Sequence, residues 1–443
     1  MNRLLMKEPK IKVGIMEQRR EVSGTFNGRF RLQNGLRIAG DFRACIKADQ
    51  VILLNSAGIE ITRQKEIRCR PLQGSTFILL DVTIGIHFHW ERNQKQEFQG
   101  ALTLKPDGRE TLAAINVIPL EDYLESVISS EMSAEAPIEF LKAHAITSRS
   151  WIVSLLQRRL KIFTVPESLH PPEEIIRVYG RIDHSYFDVC ADDHCQRYQG
   201  ITRLISENAQ KAVRATRGLF LIHNKQICDA RYHKACGGRT DNFQTAWEDL
   251  SIPYLSSISD SDIFHSPIGN EKDAQRWIMS HPDAYCNTRD RHILRQILPS
   301  FDQEASDFFR WKVVYSPQEL REIIHEKSGI DLGDILNMEA VERGISGRIV
   351  RLRIDGSKKS VIIGKELEIR RWLSPTHLYS SAFVVTDKRD VSGNIISFIL
   401  HGAGWGHGVG LCQIGAAVMA TQGHVAKDIL EHYFYGVEIK ELY

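Results

Sequence analysis

Glycine occupies every second position from Gly402 to Gly410, in the segment HGAGWGHGVGLCQ near the C-terminus. A repeat of two residues is the period of an extended chain, so this pattern predicts a strand with one face of bare backbone. Glycine removes side-chain bulk where a ligand or another backbone segment must approach closely. The opposite face would carry Ala403, Trp405, His407, Val409 and Leu411.

Two explanations of this glycine segment, residues 402–410, stay open. Tight strand packing, with a neighbouring aromatic side chain above the glycines, needs no ligand. A polysaccharide groove fits the interleaved side chains better, because Trp405 offers a flat face to a sugar ring while His407 and Gln413 offer hydrogen bonds. The spacing excludes a phosphate-binding loop, since neither G-x-G-x-x-G nor G-K-[ST] occurs in the segment.

Composition indicates an ordinary globular protein rather than a nucleic-acid-binding or membrane-spanning one. The 443 residues are 42% hydrophobic and 25% charged, with a formal net charge of +2, and this length allows two or three domains. No basic run is dense enough to follow a phosphate backbone. No stretch approaches the ~18 uninterrupted apolar residues of a spanning helix, and MNRLLMKEPKIKVGIMEQRR at the start lacks the apolar core of a secretion signal.

Apolar periodicity divides the chain into a β-rich first part and a mixed second part. Residues 10–118 contain short β-branched and aromatic runs separated by Gly, Asn and Asp-Gly turns, which is typical of a sheet domain or barrel. Helical spacing begins at Pro119 and again near Pro137, with Glu131 expected in the loop between these helices. Later elements are strands at about 178–258, a helical insertion at about 270–330, a hairpin at 347–369, and helices near 413–421 and 425–434.

The fold expected from this order is α+β. It comprises an N-terminal β-rich domain over residues 1–104 and a mixed α+β domain over residues 105–443, the second with a groove and the helical insertion.

The segment HSYFDVCADDHC brings together two imidazoles and two thiols, from His184, Cys190, His194 and Cys195. These side chains are a complete tetrahedral zinc set, although the spacing is not that of a zinc finger and the chain must turn at Ala-Asp-Asp. The alternatives are two buried thiols in a sheet, or a disulfide between Cys190 and Cys195 in an oxidising compartment. The other cysteines are scattered singly, which suits reduced, packed thiols.

Four segments, in order along the chain, resemble the SpoIID/LytB family, the group of stage II sporulation protein D and the amidase enhancer. They cover most of residues 105–443, whereas residues 1–104 match only loosely, through IKVGI. The four are VIPLEDYLESVISSEMSAEAPIEFLKAHAITSRSW, ARYHKACGGRTDNFQTAWEDLSIPYLSSISD, SGRIVRLRIDG and GWGHGVGLCQIGAAVMATQGHVAKDILEHYFYGVEI. Some members of this family cleave peptidoglycan glycan strands as lytic transglycosylases, and others are described as stimulating a cell-wall amidase.

The resemblance implies that Glu131, in SSEMSAEAP, is the catalytic acid. The ordinary alternative for this residue is support for the start of the next helix. The resemblance also implies a zinc ion in the region of residues 184–195, as a structural or regulatory ion that the chemistry itself does not require.

Three further residues are candidates for contact with the substrate. Arg149, about one helical turn beyond Ala145, would face Glu131 or a substrate carboxylate, or else be a helix-surface cation. Tyr232 and His233 would line the same groove, or else be a core tyrosine and a satisfied histidine. Cys236 stands where family members usually have a small hydroxyl residue, which weakens any role in hydrogen bonding at that position.

A single carboxylate is enough for the chemistry that the resemblance implies. Ordinary glycoside hydrolysis uses two carboxylates, one on each side of the bond. In a lytic transglycosylase the acid protonates the leaving oxygen, and the C6 hydroxyl of the same muramoyl sugar closes a 1,6-anhydro ring. The same glutamate, once ionised, takes the hydroxyl proton.

The expected function is therefore cleavage of peptidoglycan glycan strands, most simply strands stripped of stem peptides. A rival is a non-catalytic glycan-binding protein that activates a cell-wall amidase, which would have no use for an acid at position 131. A third is a cytoplasmic protein acting on a soluble muropeptide or another polysaccharide. The resemblance implies the cell envelope, but no signal peptide is visible, so the compartment stays open.

Overall fold

The structure is a computed structural model that describes residues 7–86, 91–159, 173–179, 184–300, 302–303 and 308–443. Parts of four predicted segments lie outside these ranges: residues 1–6 of the N-terminal segment, 87–90 of the β-rich part, 180–183 of the predicted strands, and 301 and 304–307 of the helical insertion.

The described elements confirm the α+β class. The strands are β1 (Lys10–Arg19), β2 (Glu21–Leu32), β3 (Arg37–Lys47), β4 (Gln50–Asn55), β5 (Glu60–Gln64), β6 (Ile67–Pro71), β7 (Thr76–Ile84), β8 (Arg92–Phe98), β9 (Ala101–Pro106), β10 (Leu112–Pro119), β11 (Glu174–Ile176), β12 (Val189–Cys190), β13 (Leu219–His223), β14 (Gln226–Ile227), β15 (Tyr232–His233), β16 (Arg310–Tyr315), β17 (Ile335–Arg343), β18 (Ile349–Gly356), β19 (Ser360–Gly364), β20 (Phe383–Arg389), β21 (Ile395–Ala403), β22 (Leu411–Cys412) and β23 (Glu438–Glu441). The helices are α1 (Leu120–Glu131), α2 (Ile138–Arg159), α3 (Glu207–Ala215), α4 (Phe243–Ala246), α5 (Glu271–Met279), α6 (Arg291–Ile297), α7 (Pro317–Ser328), α8 (Glu366–Trp372), α9 (Gln413–Thr421) and α10 (Ala426–Tyr433), with a 3-10 turn at Pro253–Leu255.

The chain forms two compact units that are interleaved in sequence. The first contains Met1–Arg149, Ile182–Leu219 and Lys440–Tyr443, and the second contains Ser150–Arg181 and Phe220–Ile439. The predicted domain boundary at residue 104 stays a prediction.

The first unit is built on an 11-stranded sheet, which explains the dense β-branched and aromatic runs near the N-terminus. Its order is β12-β1-β10-β9-β6-β2-β3-β4-β5, and β7 pairs with β2 and β8. Only the β1–β12 pair is parallel among the described strands of this sheet. That pair places Cys190 beside Gly14, at one edge of the sheet.

A run of aromatic rings connects the sheet of the first unit to α1. Phe77 stacks on Phe98 with ring centroids 5.3 Å apart, and Tyr123 of α1 stacks on Tyr198 at 5.3 Å. Phe98 and Tyr198 are themselves 6.1 Å apart. These rings bury a large apolar area and hold α1 against the loop that contains Tyr198.

The second unit contains several smaller sheets with helices packed between them. Their orders are β11-β19-β18-β17, β16-β21-β20 and β15-β22, and β13 pairs with β14 in a short antiparallel hairpin. A single cluster of buried side chains, with Trp311 and Trp372 as its largest members, unites the first two of these sheets with α7 and α8. None of the helices in the described part of the chain has the length and apolar character needed to cross a membrane.

Two local predictions differ from the structure. In its described residues, the region predicted as strands from 178 to 258 contains short strands, and it also holds α3, whose N-cap is Ser206. The Ser206 hydroxyl accepts a hydrogen bond from the Asn208 N–H, which satisfies one of the free backbone donors at the start of this helix. Glu131 is the last residue of α1 rather than a loop residue, because the helix continues through the two serines that precede it.

Candidate functional site

Glu131 occupies an unusual place for a carboxylate, the C-terminal end of a buried helix in the first unit. The residue is 7% exposed, and its Oε1 accepts a hydrogen bond from the backbone N–H of Arg197 at 3.0 Å. The partial negative charge at that end of a helix disfavours a carboxylate by roughly 0.3–1 kcal/mol, and the last turn of α1 contains no basic residue. Helix stability therefore does not explain a glutamate at this position.

The Glu131 carboxylate is held by the loop of residues 191–199, here called the 190s loop. Besides the bond from Arg197, Gln199 N–H donates to Ser126 Oγ at 3.2 Å, and Tyr123 OH donates to Gln196 Oε1 at 2.8 Å. All three contacts join the loop to α1. The loop is thus fixed along the helix that ends in Glu131.

One polar atom of the 190s loop stays unsatisfied. Gln196 is fully buried, and its Nε2 has no hydrogen-bond partner among the residues that the structure describes. A buried amide N–H without a partner costs roughly 1–3 kcal/mol.

The structure brings together the four predicted metal ligands, which also lie in the first unit. The donor atoms of His184, Cys190, His194 and Cys195 all lie within 4.8 Å of one another. Three of the N···S separations are 3.3, 3.4 and 3.9 Å, whereas N and S ligands of a tetrahedral zinc ion lie about 3.6 Å apart. The donor set therefore fits a zinc ion in chemistry and in spacing.

The position of this set relates it to Glu131. His194 and Cys195 belong to the 190s loop, and Cys190 ends β12 at the edge of the sheet. An ion held by these residues would connect the sheet to the loop that binds the Glu131 carboxylate. The disulfide alternative is not formed here, because Cys190 and Cys195 are both free thiols.

Arg149 differs from the expectation that it faces Glu131 or a substrate. It is fully buried, and it forms a two-pronged ion pair with Glu121, with Nε and Nη2 at 2.9 and 2.6 Å from the carboxylate oxygens. Its Nη1 donates to Leu219 O at 3.1 Å. The helical spacing that suggested an exposed face instead directs the guanidinium to Glu121 of α1, so neither a substrate contact nor a surface cation describes this residue.

In the second unit, the glycine segment is not the extended ribbon that its period predicted. Regular strand structure ends at Ala403 and resumes at Leu411. Gly404, Gly406, Gly408 and Gly410 instead have left-handed φ values of +74°, +95°, +79° and +74°. Alternating glycine allows a repeated left-handed turn of the backbone as well as a flat strand, and the sequence does not distinguish the two.

The glycine faces are also covered by protein, so the prediction of a bare face open to a ligand is wrong. A Cβ at Gly408 would overlap the guanidinium of Arg348, and one at Gly402 would overlap the ring of Trp311. Arg348 is fully buried and donates to Gly406 O at 3.1 Å. The tight-packing explanation, with an aromatic side chain above the glycine, is confirmed at Gly402.

The side chains between the glycines form a group with the other predicted substrate residues of the second unit. Tyr232 and His233 form β15, which pairs in parallel with β22 just before Gln413. The rings of His233 and His407 lie 5.5 Å apart. Trp405 is partly covered by Phe308 and Tyr379, whose centroids lie 4.8 and 4.5 Å from its ring.

Both histidines of this group are held neutral. Burial, together with the nearby Arg348 guanidinium, lowers the pKa of His233 to about 3. Burial and the neighbouring His233 likewise lower the pKa of His407 well below its usual value. His233 Nδ1 lies 3.1 Å from Val409 O and so carries the proton, which leaves its buried Nε2 as an acceptor with no partner among the described residues.

Trp247 is an aromatic residue of this group that the glycine pattern did not indicate. Its ring lies 4.7 Å from that of His407, and the Arg231 guanidinium sits over it at 4.3 Å. The predicted groove that would join Glu131 to these residues stays a prediction.

Sequence reasoning missed a second cluster of metal-binding side chains, formed by Cys236, Asp260, Cys286 and Cys412 of the second unit. All four are buried, and their donor atoms lie within 4.8 Å of one another. Such a donor set can hold a metal such as zinc. The cysteines are separated by 50 and 126 residues, so no C-x-x-C spacing marks them and each looked like a single packed thiol.

Comparison with known proteins gives two family matches. Residues 108–223 match the model described as stage II sporulation protein, and residues 241–410 match a domain of unknown function (DUF8618). The first match contains Glu131 and the His184–Cys195 set, and the second contains Asp260 and Cys286.

Several curated proteins are similar over most of this chain. Stage II sporulation protein D of Bacillus amyloliquefaciens is 28% identical over 336 residues, 76% of this chain and 78% of that protein. Its counterpart in Bacillus subtilis is 26% identical over 78% of this chain and 83% of that protein. The amidase enhancer of Bacillus subtilis is 24% identical over 71% of this chain but only 40% of that protein. By these matches, which agree with the four ordered sequence segments, the chain is similar over most of its length to stage II sporulation protein D and the amidase enhancer, and residues 108–223 match the model of the SpoIID family.

Proposed function

We propose that this chain cleaves the glycan strands of peptidoglycan by lytic transglycosylation, with Glu131 as the acid and then the base. The observation that carries the proposal is the Glu131 carboxylate itself, almost fully buried at the C-terminal end of α1 and bound by the Arg197 N–H. A fold that only needed a stable helix end would have a neutral or basic residue there. The names of the relatives, stage II sporulation protein D and amidase enhancer, support a role at the cell wall.

The proposed reaction needs one carboxyl group and no water. The Glu131 carboxyl donates its proton to the oxygen that bridges two sugars, and the bond from that oxygen to the anomeric carbon of the muramoyl sugar breaks. The C6 hydroxyl of the same sugar bonds to the anomeric carbon, and its proton passes to the Glu131 carboxylate. The products are a 1,6-anhydro-muramoyl end and a free hydroxyl on the departing sugar, with the glutamic acid restored.

The 190s loop has a positioning role in this proposal. The Arg197 N–H donates to one carboxylate oxygen of Glu131 and so fixes the orientation of the group that we propose as the acid. His184, Cys190, His194 and Cys195 would hold a zinc ion, which when bound supplies a structural cross-link between β12 and the loop. The chemistry of bond cleavage belongs to Glu131 and the sugar alone.

In the second unit we propose that Tyr232, His233, Trp405, His407 and Gln413 contribute to glycan binding. Neutral imidazoles suit sugar hydroxyls, which both donate and accept hydrogen bonds. His233 Nε2, which has no partner among the residues described, offers an acceptor. Arg149 is not part of this set, because Glu121 occupies its guanidinium.

The second candidate function is activation of a cell-wall amidase by a chain that grips glycan without cleaving it. The similarity to the amidase enhancer of Bacillus subtilis favours this candidate. It predicts that Glu131 is dispensable, whereas the transglycosylase proposal requires it.

Products of denuded glycan strands, analysed by mass spectrometry, separate the two candidates. Wild-type protein should release fragments that end in 1,6-anhydro-muramic acid, and Glu131→Gln should lower the rate by a factor of at least about 10³ while the fold is retained. Glu125→Gln is the matched control, because Glu125 is another buried glutamate of α1. This control should cleave at close to the wild-type rate.

Two results would count against the proposal. Equal cleavage by wild type and Glu131→Gln would remove Glu131 from the chemistry. Binding of strands without any cleavage, combined with stimulation of an added amidase, would favour the second candidate.

A further inference from the structure

We propose that Cys236, Asp260, Cys286 and Cys412 form a second metal site, buried in the second unit and suited to zinc. The site is distinct from the His184–Cys195 set, which lies in the first unit. The inference does not depend on the proposed function, since the donors are far in sequence from Glu131 and take no part in the reaction.

The spacing of the donors is that of a tetrahedral thiolate site. The donor atoms of all four residues lie within 4.8 Å of one another, and the sulfurs of Cys236 and Cys286 are 3.5 Å apart. Two sulfurs bound to one zinc ion lie about 3.8 Å apart, whereas a disulfide would bring them to about 2.05 Å. Three thiolates and one carboxylate complete the four ligands that a structural zinc ion requires.

The backbone around the sulfurs supplies the hydrogen bonds that thiolate ligands need. Gly238 N–H donates to Cys236 Sγ at 3.3 Å, and the Cys236 and Gly415 N–H groups donate to Cys412 Sγ at 3.3 and 3.4 Å. Cys412 is the N-cap of α9, so its sulfur also lies at the positive end of a helix. Donors in this second layer orient metal ligands and stabilise their negative charge.

The carboxylate of Asp260 is oriented in the same way. Tyr433 OH donates to one of its oxygens at 2.5 Å, and Cys286 N–H donates to the other at 3.0 Å. Asp260 is fully buried, yet none of the described lysines and arginines forms an ion pair with it. A buried carboxylate needs a compensating positive charge, and a divalent cation among the four donors supplies one.

The surroundings also match the charge of such a site and give it an entrance. Three thiolates, one carboxylate and a divalent ion carry roughly two net negative charges. Arg310 lines the same cavity as Cys286, a space of about 70 Å³. Within the described part of the chain, its guanidinium donates only to carbonyl oxygens, those of Ser280, Gly237, Phe309 and Trp277. Its charge is thus available to the cluster, and the cavity offers the ion a path.

The test is zinc analysis of the full chain by mass spectrometry, with the two sites separated by substitution. Wild type should carry about two zinc ions per chain, and Cys190→Ser/Cys195→Ser should keep about one, because this variant leaves the second unit unchanged. Adding Cys286→Ser to that variant should remove the remaining ion. Adding Cys228→Ser instead should not, since Cys228 is a buried thiol of the second unit outside the cluster.

Cobalt gives a second readout that needs no substitution in the buried cluster. Cys190→Ser/Cys195→Ser reconstituted with Co²⁺ should show the strong charge-transfer absorption of thiolate-bound cobalt. Loss of all zinc from this variant, with no such absorption, would overturn the proposal. So would thiol titration of the unfolded chain that finds two thiols missing, the result expected for a Cys236–Cys286 disulfide.

Discussion

Single buried charges in the first unit are stabilised in two different ways. Arg149 and Glu121 neutralise each other in a two-pronged ion pair, with additional bonds to Glu121 from Tyr443 OH at 2.5 Å and Gly218 N–H at 3.4 Å. Glu131, in contrast, accepts a hydrogen bond from a neutral backbone N–H, that of Arg197. The Arg149–Glu121 pair is a stabilising network of opposite charges.

Arg149→Met should destabilise the first unit by about 3–5 kcal/mol, because it leaves Glu121 buried without its cation. Urea unfolding measures this loss. The double variant Arg149→Met/Glu121→Gln should recover a large part of it, since the uncompensated charge is then gone. A loss below about 1 kcal/mol, accompanied by weaker glycan binding, would instead support the original expectation that Arg149 contacts substrate.

The buried His233 should make the stability of the second unit depend on pH. Its pKa is lowered to about 3 by burial and by Arg348, with Glu366 opposing, whereas an unfolded histidine titrates near 6.5. Between these values the unfolded chain binds a proton that the folded chain does not. The free energy of unfolding should therefore fall as the pH drops from about 6.5 towards 3.

His233→Gln should flatten this slope, because glutamine does not titrate. Urea unfolding of both proteins between about pH 7 and 4 gives the comparison. His407 contributes a change of the same sign, so the slope should decrease without vanishing. Parallel profiles for the two proteins would show that His233 is already protonated or exposed in the folded state.

Among the elements, the glycine segment shows why a two-residue period has two structural solutions. Its left-handed φ values let the backbone approach Arg348 and the segment around Cys236. The two-residue period shows where glycine is placed, but it does not give the sign of φ. The side chains that cover the glycines come from distant parts of the sequence. The same limit concealed the buried cysteine cluster, whose members meet only after the second unit has folded.

Gly408→Ala should destabilise the second unit by about 2–5 kcal/mol, from left-handed strain and from displacement of the buried Arg348. Gly423→Ala is the matched control. Gly423 also has a positive φ, of +96°, but an added Cβ would meet nothing within 4 Å. Its cost should be limited to about 1–2 kcal/mol of backbone strain. If urea unfolding gave the two variants equal losses in the free energy of unfolding, the packing described around Gly408 would be contradicted.

The 190s loop should loosen when the metal ligands that we propose in it are removed. Cys195→Ser should raise amide hydrogen exchange across residues 191–199 and lower kcat more than it raises KM, because the Arg197 N–H then holds Glu131 less firmly. Cys45→Ser, a thiol in β3 outside both clusters, is the control. Unchanged hydrogen exchange in the loop, together with full activity, would show that the cluster at residues 184–195 has no influence on Glu131.

At the scale of the whole molecule, the sequence predicted the fold class and the order of the elements better than it predicted which residues lie close together in space. A β-rich segment precedes α1 as expected, and both C-terminal helices lie where periodicity placed them. The grouping of the four candidate ligands at residues 184–195 was predictable because they are close in sequence. Arg149 was assigned wrongly because helical spacing gives a direction but not the partner, and the buried Asp260 cluster needed long-range contacts that no local pattern contains.

The central claim is that Glu131 drives an intramolecular transfer rather than hydrolysis. Digestion of denuded glycan strands by wild-type protein in oxygen-18-labelled water tests it most directly, because a water nucleophile would enter the product and a C6 hydroxyl would not. The account predicts 1,6-anhydro-muramoyl ends that carry no label, absent from the Glu131→Gln digest. Reducing ends that carry the label would contradict it and require a second carboxylate near Glu131.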